Sequence, residues 1–362
     1  MVIYGIFTLK GSFCMQKIGL AFAGFGGMAH FHAENFKKME RVLVKGIFDI
    51  NPAVAEQARK DGYRTYATLE EMVADPAVDI VLIATPNDVH RPIALAAMNA
   101  GKHVFCEKPV ALNSEELQEM IDCAVKNNVL FTVDQNRRMD HDFLTVKRIY
   151  EENLLGDLFC VESRVHGARG IPGDWRKEAK HGGGMVLDWG IHLFDQLLML
   201  TDMKIKSVYA KLTYLTVPEV DDGFKVILTW ENGMTALAEV GTSHFINLPR
   251  WAVQGINGSA VIRSFNNDGE MVCARCKPGA DAIPVRTAAG LTKTMAPRTD
   301  DTIVTLPLPE VSGSIFDLYN NVFDAAQGKC EPWVTHAHLQ RSMRLMEAVF
   351  ESDKLGQAVD FE

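Results

Sequence analysis

The sequence predicts an α/β chain: an N-terminal doubly wound parallel sheet, then a C-terminal α+β domain with an open, mostly antiparallel sheet. Three observations predict it. Up to about residue 137, apolar runs of strand length alternate with helical segments, the pattern of strand–helix–strand units. The first run ends in a glycine-rich turn that leads straight into a helix. Beyond residue 137, strand-like runs follow one another, punctuated by turn pairs such as Asn257-Gly258.

The elements read in order. "KIGLAFAG" (17–24) is the first strand and 28–39 the first helix. Residues 41–49 form a second strand, and 52–62 a helix opened by Pro52, whose fixed φ suits a first helical position. "VDIVLIATP" (78–86) is continuous in Val, Ile and Leu, as a strand covered on both faces must be. A helix over 89–101 ends at Gly101, the strand "HVFCE" follows, and Asn113 caps the next helix. Residues 129–135 are the last strand of this part. The second part holds a helix over 141–153, a strand from 158, a Gly-rich loop, an apolar helix over 185–200 and six β segments between 204 and 275. Residues 276–305 are polar and irregular, and helices return at 312–327 and 335–353.

The totals exclude several classes. With 362 residues the chain is long enough for two domains, taken as residues 15–137 and 138–362. Residues 1–14 read as an extension before Met15, with no basic region or small-residue cleavage site of a signal peptide. A net charge of −9 argues against nucleic acid as a partner. No apolar run reaches membrane-spanning length. Seven scattered cysteines fit reduced thiols in a cytoplasmic enzyme. Cys273 and Cys276 form one C-x-x-C, but a zinc site needs four ligands and no second pair or histidine lies near, so no metal is expected.

Gly24-x-Gly26-x-x-Ala29 sits between strand and helix, where a dinucleotide fingerprint must sit. Gly24 allows the tight turn, Gly26 lets backbone approach a pyrophosphate, and Ala29 allows close packing of helix on strand. Gly24, Gly26, Gly27 and Met28 are therefore expected at the cofactor. The second strand ends in Asp49, whose carboxylate can hold ribose hydroxyls. No Arg or Lys stands beside it in "DINP" to meet a 2′-phosphate, which favours NAD over NADP. Thr85, Pro86, Asn87 and His90 follow the third strand, at the carboxyl edge where ligands bind in such sheets.

In "HGGGMVLDWGIHLFDQLLML" (181–200), Asp188, His192 and Asp195 share one face of an otherwise apolar helix. A buried ionisable stripe needs partners or a cavity. An Asp one turn from a His can orient it as a general base. The glycines before it point to backbone held close to a ligand.

Gly24-x-Gly26-x-x-Ala29, "ATPN" (84–87), "CEKPVAL" (106–112) and "GGGMVLDWGIH" (182–192) resemble, in order and spacing, the glucose–fructose oxidoreductase/inositol dehydrogenase family. The resemblance spans nearly the whole chain from Met15. It implies a Rossmann domain, then an α/β domain whose open sheet covers the active site and forms a homo-oligomer interface. It implies an NAD- or NADP-dependent oxidoreductase of sugars, cyclitols or related alcohols. By that likeness Lys108 points at the reacting hydroxyl and the nicotinamide, His192 is the general base, Asp188 orients it or binds a neighbouring hydroxyl, and the bond before Pro109 is cis; the sequence leaves open which of Lys108 and His192 takes the proton first. Glu107 would neutralise or orient Lys108 beside the cofactor. Asn136 and Arg137 would border the substrate. The family's substrate loop falls on 166–184, where His166, Arg169, Trp175, Arg176 and His181 suit a polyol or glycoside.

The reading is then an NAD-dependent dehydrogenase of a ring hydroxyl on a sugar, glycoside (at C3) or inositol. A dehydrogenase or reductase of another small molecule, such as a dihydrodiol or keto-sugar, uses the same residues. A non-catalytic dinucleotide sensor is the alternative of a different class, and the presence of Lys108 and His192 weighs against it.

Overall fold

The computed structural model describes residues 17–276, 284–292 and 297–362. The expected extension over 1–14 lies outside them. The first sheet is built from β1 (Ile18–Ala23), β2 (Val42–Phe48), β3 (Ile80–Ile83), β4 (His103–Cys106) and β5 (Phe131–Val133), in the order β2-β1-β3-β4-β5 and all parallel. Its helices are α1 (Gly27–Phe36), α2 (Pro52–Lys60), α3 (Leu69–Ala74), α4 (His90–Asn99) and α5 (Ser114–Asn127). β3 is buried at every position because helices cover both faces, which is why its sequence never alternates. Strand order reverses between β1 and β3, and the crevice at such a reversal is where open α/β sheets bind ligands.

Local chemistry sets the helix starts. The Asn51 side chain accepts from the Ala53 N–H at 3.0 Å with Pro52 in the first turn. The Asn113 side chain accepts from the Glu116 N–H at 2.9 Å and opens α5. α3 escaped the sequence reading because it is a single short stretch without a clear apolar period.

The second sheet has nine strands, with α6 (His141–Glu151) and α7 (Ile191–Leu200) packed near it. In chain order they are β6 (Leu158–His166), β7 (Ile205–Thr213), β8 (Gly223–Trp230), β9 (Thr235–Gly241), β10 (Trp251–Gly255), β11 (Gly258–Ile262) and β12 (Gly269–Ala274). A small hairpin of β13 (Val285–Thr287) and β14 (Gly290–Thr292) stands apart, and β15 (Ile303–Leu306) joins the sheet edge. α8 (Ile315–Ala326), α9 (His336–Leu355) and β16 (Val359–Asp360) complete the chain. The sheet order is β15-β12-β11-β10-β6-β9-β8-β7-β16, antiparallel except for β6 beside β9. Among the described residues no helix is long and apolar enough to cross a membrane.

The helix expected as continuous over 185–200 is not one α-helix. Val186–Gly190 form a π-helical turn, and α7 begins only at Ile191. Such a turn inserts extra residues into the helical period and rotates the side chains before it relative to those after it. The segment starts against Asp221, whose Oδ2 accepts from the Val186 N–H at 2.8 Å while its carbonyl accepts from Met185.

After the second sheet the chain returns to the first. Tyr319 and Phe323 of α8 pack on Phe36 of α1, and Arg41 donates to Asp324 at 2.6 Å. The Thr132 hydroxyl in β5 donates to the Val334 carbonyl at 2.9 Å.

One buried ion pair pins α7 to the end of the first sheet. Arg138, just after β5, donates through Nε and Nη2 to the two oxygens of Asp195 at 2.7 and 2.6 Å. Both residues are buried. Asp195→Ala leaves an uncompensated guanidinium inside and should cost about 3–5 kcal/mol in urea unfolding. An unfolding midpoint unchanged from the parent would show that the pair contributes nothing to stability.

Candidate active site

The carboxyl edge of the first sheet faces the second unit across a cleft of about 1380 Å³. At its first end, Gly24 turns the chain at φ +83°, and a Cβ there would sit 2.7 Å from the Ala84 carbonyl oxygen. Nothing lies within 4 Å of where side chains would stand at Gly26 and Gly27, and no side chain caps the N-terminus of α1. Open space beside uncapped helix N–H groups is what a pyrophosphate requires. Asp49 lies at the end of β2, its Oδ2 accepting from the Phe25 N–H and its Oδ1 from the Asn51 N–H, both at 2.8 Å. The carboxylate is thus held rigidly at the cleft wall, with lone pairs left for a ribose diol. Met28, Thr85, Pro86 and Asn87 line the same cleft.

His90 does not line it. It is fully buried, its two ring nitrogens each 3.0 Å from a carbonyl oxygen, of Thr85 and of Pro109. Burial holds its pKa below the ordinary histidine value. The residue expected at the cofactor instead braces the loop after β3 against the loop after β4. It opens α4 facing inward, an orientation a lone His in sequence does not disclose.

β4 delivers Lys108 to the cleft, and the Lys108–Pro109 peptide is cis, as the resemblance implied. Lys108 Nζ donates to the Asp188 carbonyl at 2.8 Å and to its Oδ1 at 3.1 Å. Arg176 Nε stands 3.4 Å from the other oxygen, Oδ2. Burial pushes the Asp188 carboxyl up, but the charges of Lys108 and Arg176 outweigh it and hold the pKa below the ordinary value.

Glu107 lines the wall, yet its carboxylate does not pair with the Lys108 ammonium. Oε1 bonds His32 Nε2 at 2.8 Å, and Oε2 accepts the Lys108 backbone N–H, at 3.2 Å. The other nitrogen of His32 meets the Tyr319 hydroxyl at 2.6 Å. Asp134 lies 3.6 Å from His32, its carboxyl pushed up to about 7 by burial and by the Glu107 charge. Sequence reasoning missed His32, Asp134 and Tyr319. They come from three distant segments, and only the fold brings them beneath Lys108.

His192 lines the cleft and is buried. Among the described residues neither of its ring nitrogens is bonded, and Nδ1 is enclosed without a partner. Burial first, then the positive charges of Lys108, Arg137 and Arg250, hold its pKa well below the ordinary value, so the ring is neutral. The expected Asp188–His192 hydrogen bond is not made. The π turn breaks the i,i+4 register, and Asp188 serves Lys108 and Arg176 instead. Asp195, the third member of the expected stripe, belongs to Arg138. The glycines before the helix also approach protein: a Cβ on Gly184 would meet Asp221 Oδ1 at 2.3 Å.

Of the expected substrate residues, Asn136, Arg137, Trp175 and Arg176 line the cleft. Arg137 lies over the Trp189 ring at 4.4 Å. Three do not line it. Arg169 is exposed on the loop after β6. His181 pairs with Asp88 at 3.0 Å. His166 stacks on His244 with ring centres 4.1 Å apart, beside Glu239, which Arg164 and Lys225 already neutralise. The loop reaches the cleft only through its middle, where the Arg176–Asp174 pair forms. Residue types alone do not say which part of a loop turns inward.

The chain matches two family models. Residues 18–135 match the oxidoreductase family with an NAD-binding Rossmann fold, and residues 143–261 match the GFO/IDH/MocA C-terminal domain. A crystal structure of an NAD-binding protein from Listeria innocua is 43% identical, with a TM-score of 0.86, covering 95% of this chain and 97% of that one. A scyllo-inositol 2-dehydrogenase (NADP(+)) of Bacillus subtilis is 27% identical across 99% of both chains. A glucose-6-phosphate 3-dehydrogenase of the same organism is 32% identical over 55% of this chain and 58% of its own length.

The position of Asp49 yields a test. Asp49→Ala removes the acceptor for the ribose hydroxyls and should weaken NADH about ten- to a hundredfold. It also removes the charge that repels a 2′-phosphate, so preference over NADPH should narrow. Fluorescence titration with both reduced cofactors reads both effects, and an unchanged NADH affinity would remove Asp49 from the ribose site.

Proposed function

Since the chain belongs to the GFO/IDH/MocA oxidoreductase family and is a dehydrogenase acting on CH–OH donors, we propose that it oxidises a ring secondary hydroxyl of a sugar, glycoside or inositol with NAD. The observation that carries this reading is the pair in the cleft: a lysine ammonium anchored by Asp188 and a neutral histidine with no hydrogen-bond partner among the described residues.

Oxidising an alcohol removes one hydride and one proton. The nicotinamide, when bound, supplies the hydride acceptor. Two of the three donors of Lys108 are spent on Asp188, which leaves one for the substrate oxygen. That donor is fixed before substrate arrives and stabilises charge as the alkoxide develops. His192 takes the proton, and its depressed pKa keeps it ready as a base under mildly acidic conditions. Asp188 positions Lys108 rather than His192. Trp175, Trp189 and Asn136 give the cleft an aromatic surface beside hydrogen-bonding groups, which suits a ring carrying several hydroxyls.

We assign a second copy of the chain as the partner, held through the second sheet. Tyr209 and Ile227, opposite one another on the paired strands β7 and β8, and Phe159 on β6, which β9 separates from β8, are each at least 41% exposed. Apolar side chains in such number on one sheet mark an interaction face. Sedimentation should show a dimer or larger, and Ile227→Lys should dissociate it; a monomeric parent protein refutes the assignment.

The activity test is NADH formation from NAD⁺ and a panel of sugars, glycosides and inositols. Lys108→Ala and His192→Ala should each lower kcat by about 10²-fold or more with NADH affinity retained. If His192 is the base, the acid limb of kcat/KM has its midpoint below pH 6.5, because the folded-state pKa is depressed. His192→Gln should abolish that limb. A limb centred above pH 7 assigns the proton to another group.

A further inference from the structure

A second cavity of about 390 Å³ opens beside the cleft. It falls within the ~300–1,000 Å³ range of small-molecule sites. The two spaces share Asn136 and Arg137 as a common wall. The second space therefore adjoins the cleft at Arg137, on the far side of that residue from Lys108 and His192. Nothing in the proton and hydride chemistry above uses it.

Its lining has a definite character. Phe31 of α1 and Phe265, which follows β11, come from opposite units and are 46% and 43% exposed. Large aromatic rings left this open at the border of an active site stand ready to cover an apolar face. Asp140, His141 and Ser314 also line it. Arg137 Nη1 donates to Asp140 Oδ2 at 2.9 Å, and its guanidinium lies 5.1 Å from the Phe265 ring. The shared wall is thus an arginine fixed on one side by a carboxylate and on the other by a ring. Two exposed aromatic rings and polar side chains lining one space suit a pyranose, which presents C–H faces and hydroxyl edges.

We propose that this cavity is a subsite for a second ring, and that the preferred substrate is a two-ring glycoside oxidised on the ring held at Lys108 and His192. The inference rests on the ring-alcohol reading above and specifies its substrate class. The reaction is unchanged: one CH–OH becomes C=O, the hydride passing to NAD⁺ and the proton to His192. The glycosidic bond stays intact and spans the Arg137 wall.

The test compares matched alcohols with NAD⁺: cellobiose with glucose, lactose with galactose, and galactinol with myo-inositol. At least one two-ring compound should exceed its single-ring partner in kcat/KM by about tenfold, the worth of one aromatic contact. Phe31→Ala and Phe265→Ala should each cut that ratio about tenfold, with NADH affinity unchanged. Phe31 is nearly half exposed, so its replacement leaves the fold in place and decides the matter if Phe265→Ala does not fold. Single rings turned over as well as their two-ring partners would overturn the subsite and leave the ring-alcohol reading standing. A two-ring preference that survives Phe31→Ala would also overturn it. No turnover of any of the six compounds would overturn both.

Discussion

The contact between Lys108 and Asp188 joins the two halves of the site. Lys108 stands at the end of a strand in the first sheet, and Asp188 on a π turn packed against the second. Each side chain is only 15% exposed. Removing two charges from water is costly, and their attraction repays the cost only with good geometry and further bonds. Here the further bonds exist. Lys108 also donates to the Asp188 carbonyl, and Arg176 approaches the remaining carboxylate oxygen. An ion pair of this kind contributes little net stability. What it does is fix the place of one ammonium group relative to both units.

Beneath that pair lies a second layer of charge. Glu107 is held by His32, which is held by Tyr319, while Asp134 sits close enough to share the field. Burial alone would neutralise such groups, and their mutual bonds are what keep Glu107 ionised under Lys108. The strand end is therefore backed by a polar network rather than by apolar packing. That accounts for a strand leaving the core through an acid and a base in succession.

Much of this was legible in the chain, and the failures have one physical source. The parallel sheet, the Gly24 turn and Asp49 follow from local rules, because strand, turn and helix are decided within a few residues. Lys108, Asp188 and His192 meet in one cleft as the motifs implied. The wrong partners arose where periodicity was extrapolated or long-range packing decided. A strict 3.6-residue period put Asp188 beside His192, and the π turn moved it to Lys108. His90 and His166 carried the right chemistry on the wrong side of their elements. Arg138, His32 and Tyr319 carried no local signal, since their partners lie 57, 75 and 287 residues away along the chain.

The return of α8 to α1 has a consequence for synthesis on the ribosome. The first sheet is translated early, but the surface of α1 that carries His32 and Phe36 is covered by Tyr319 and Phe323. Until those residues emerge, the nascent nucleotide-binding unit shows the solvent an aromatic flank and an unfinished polar network. Order of translation and order of completion are then opposed. The half that is made first is the half that must wait.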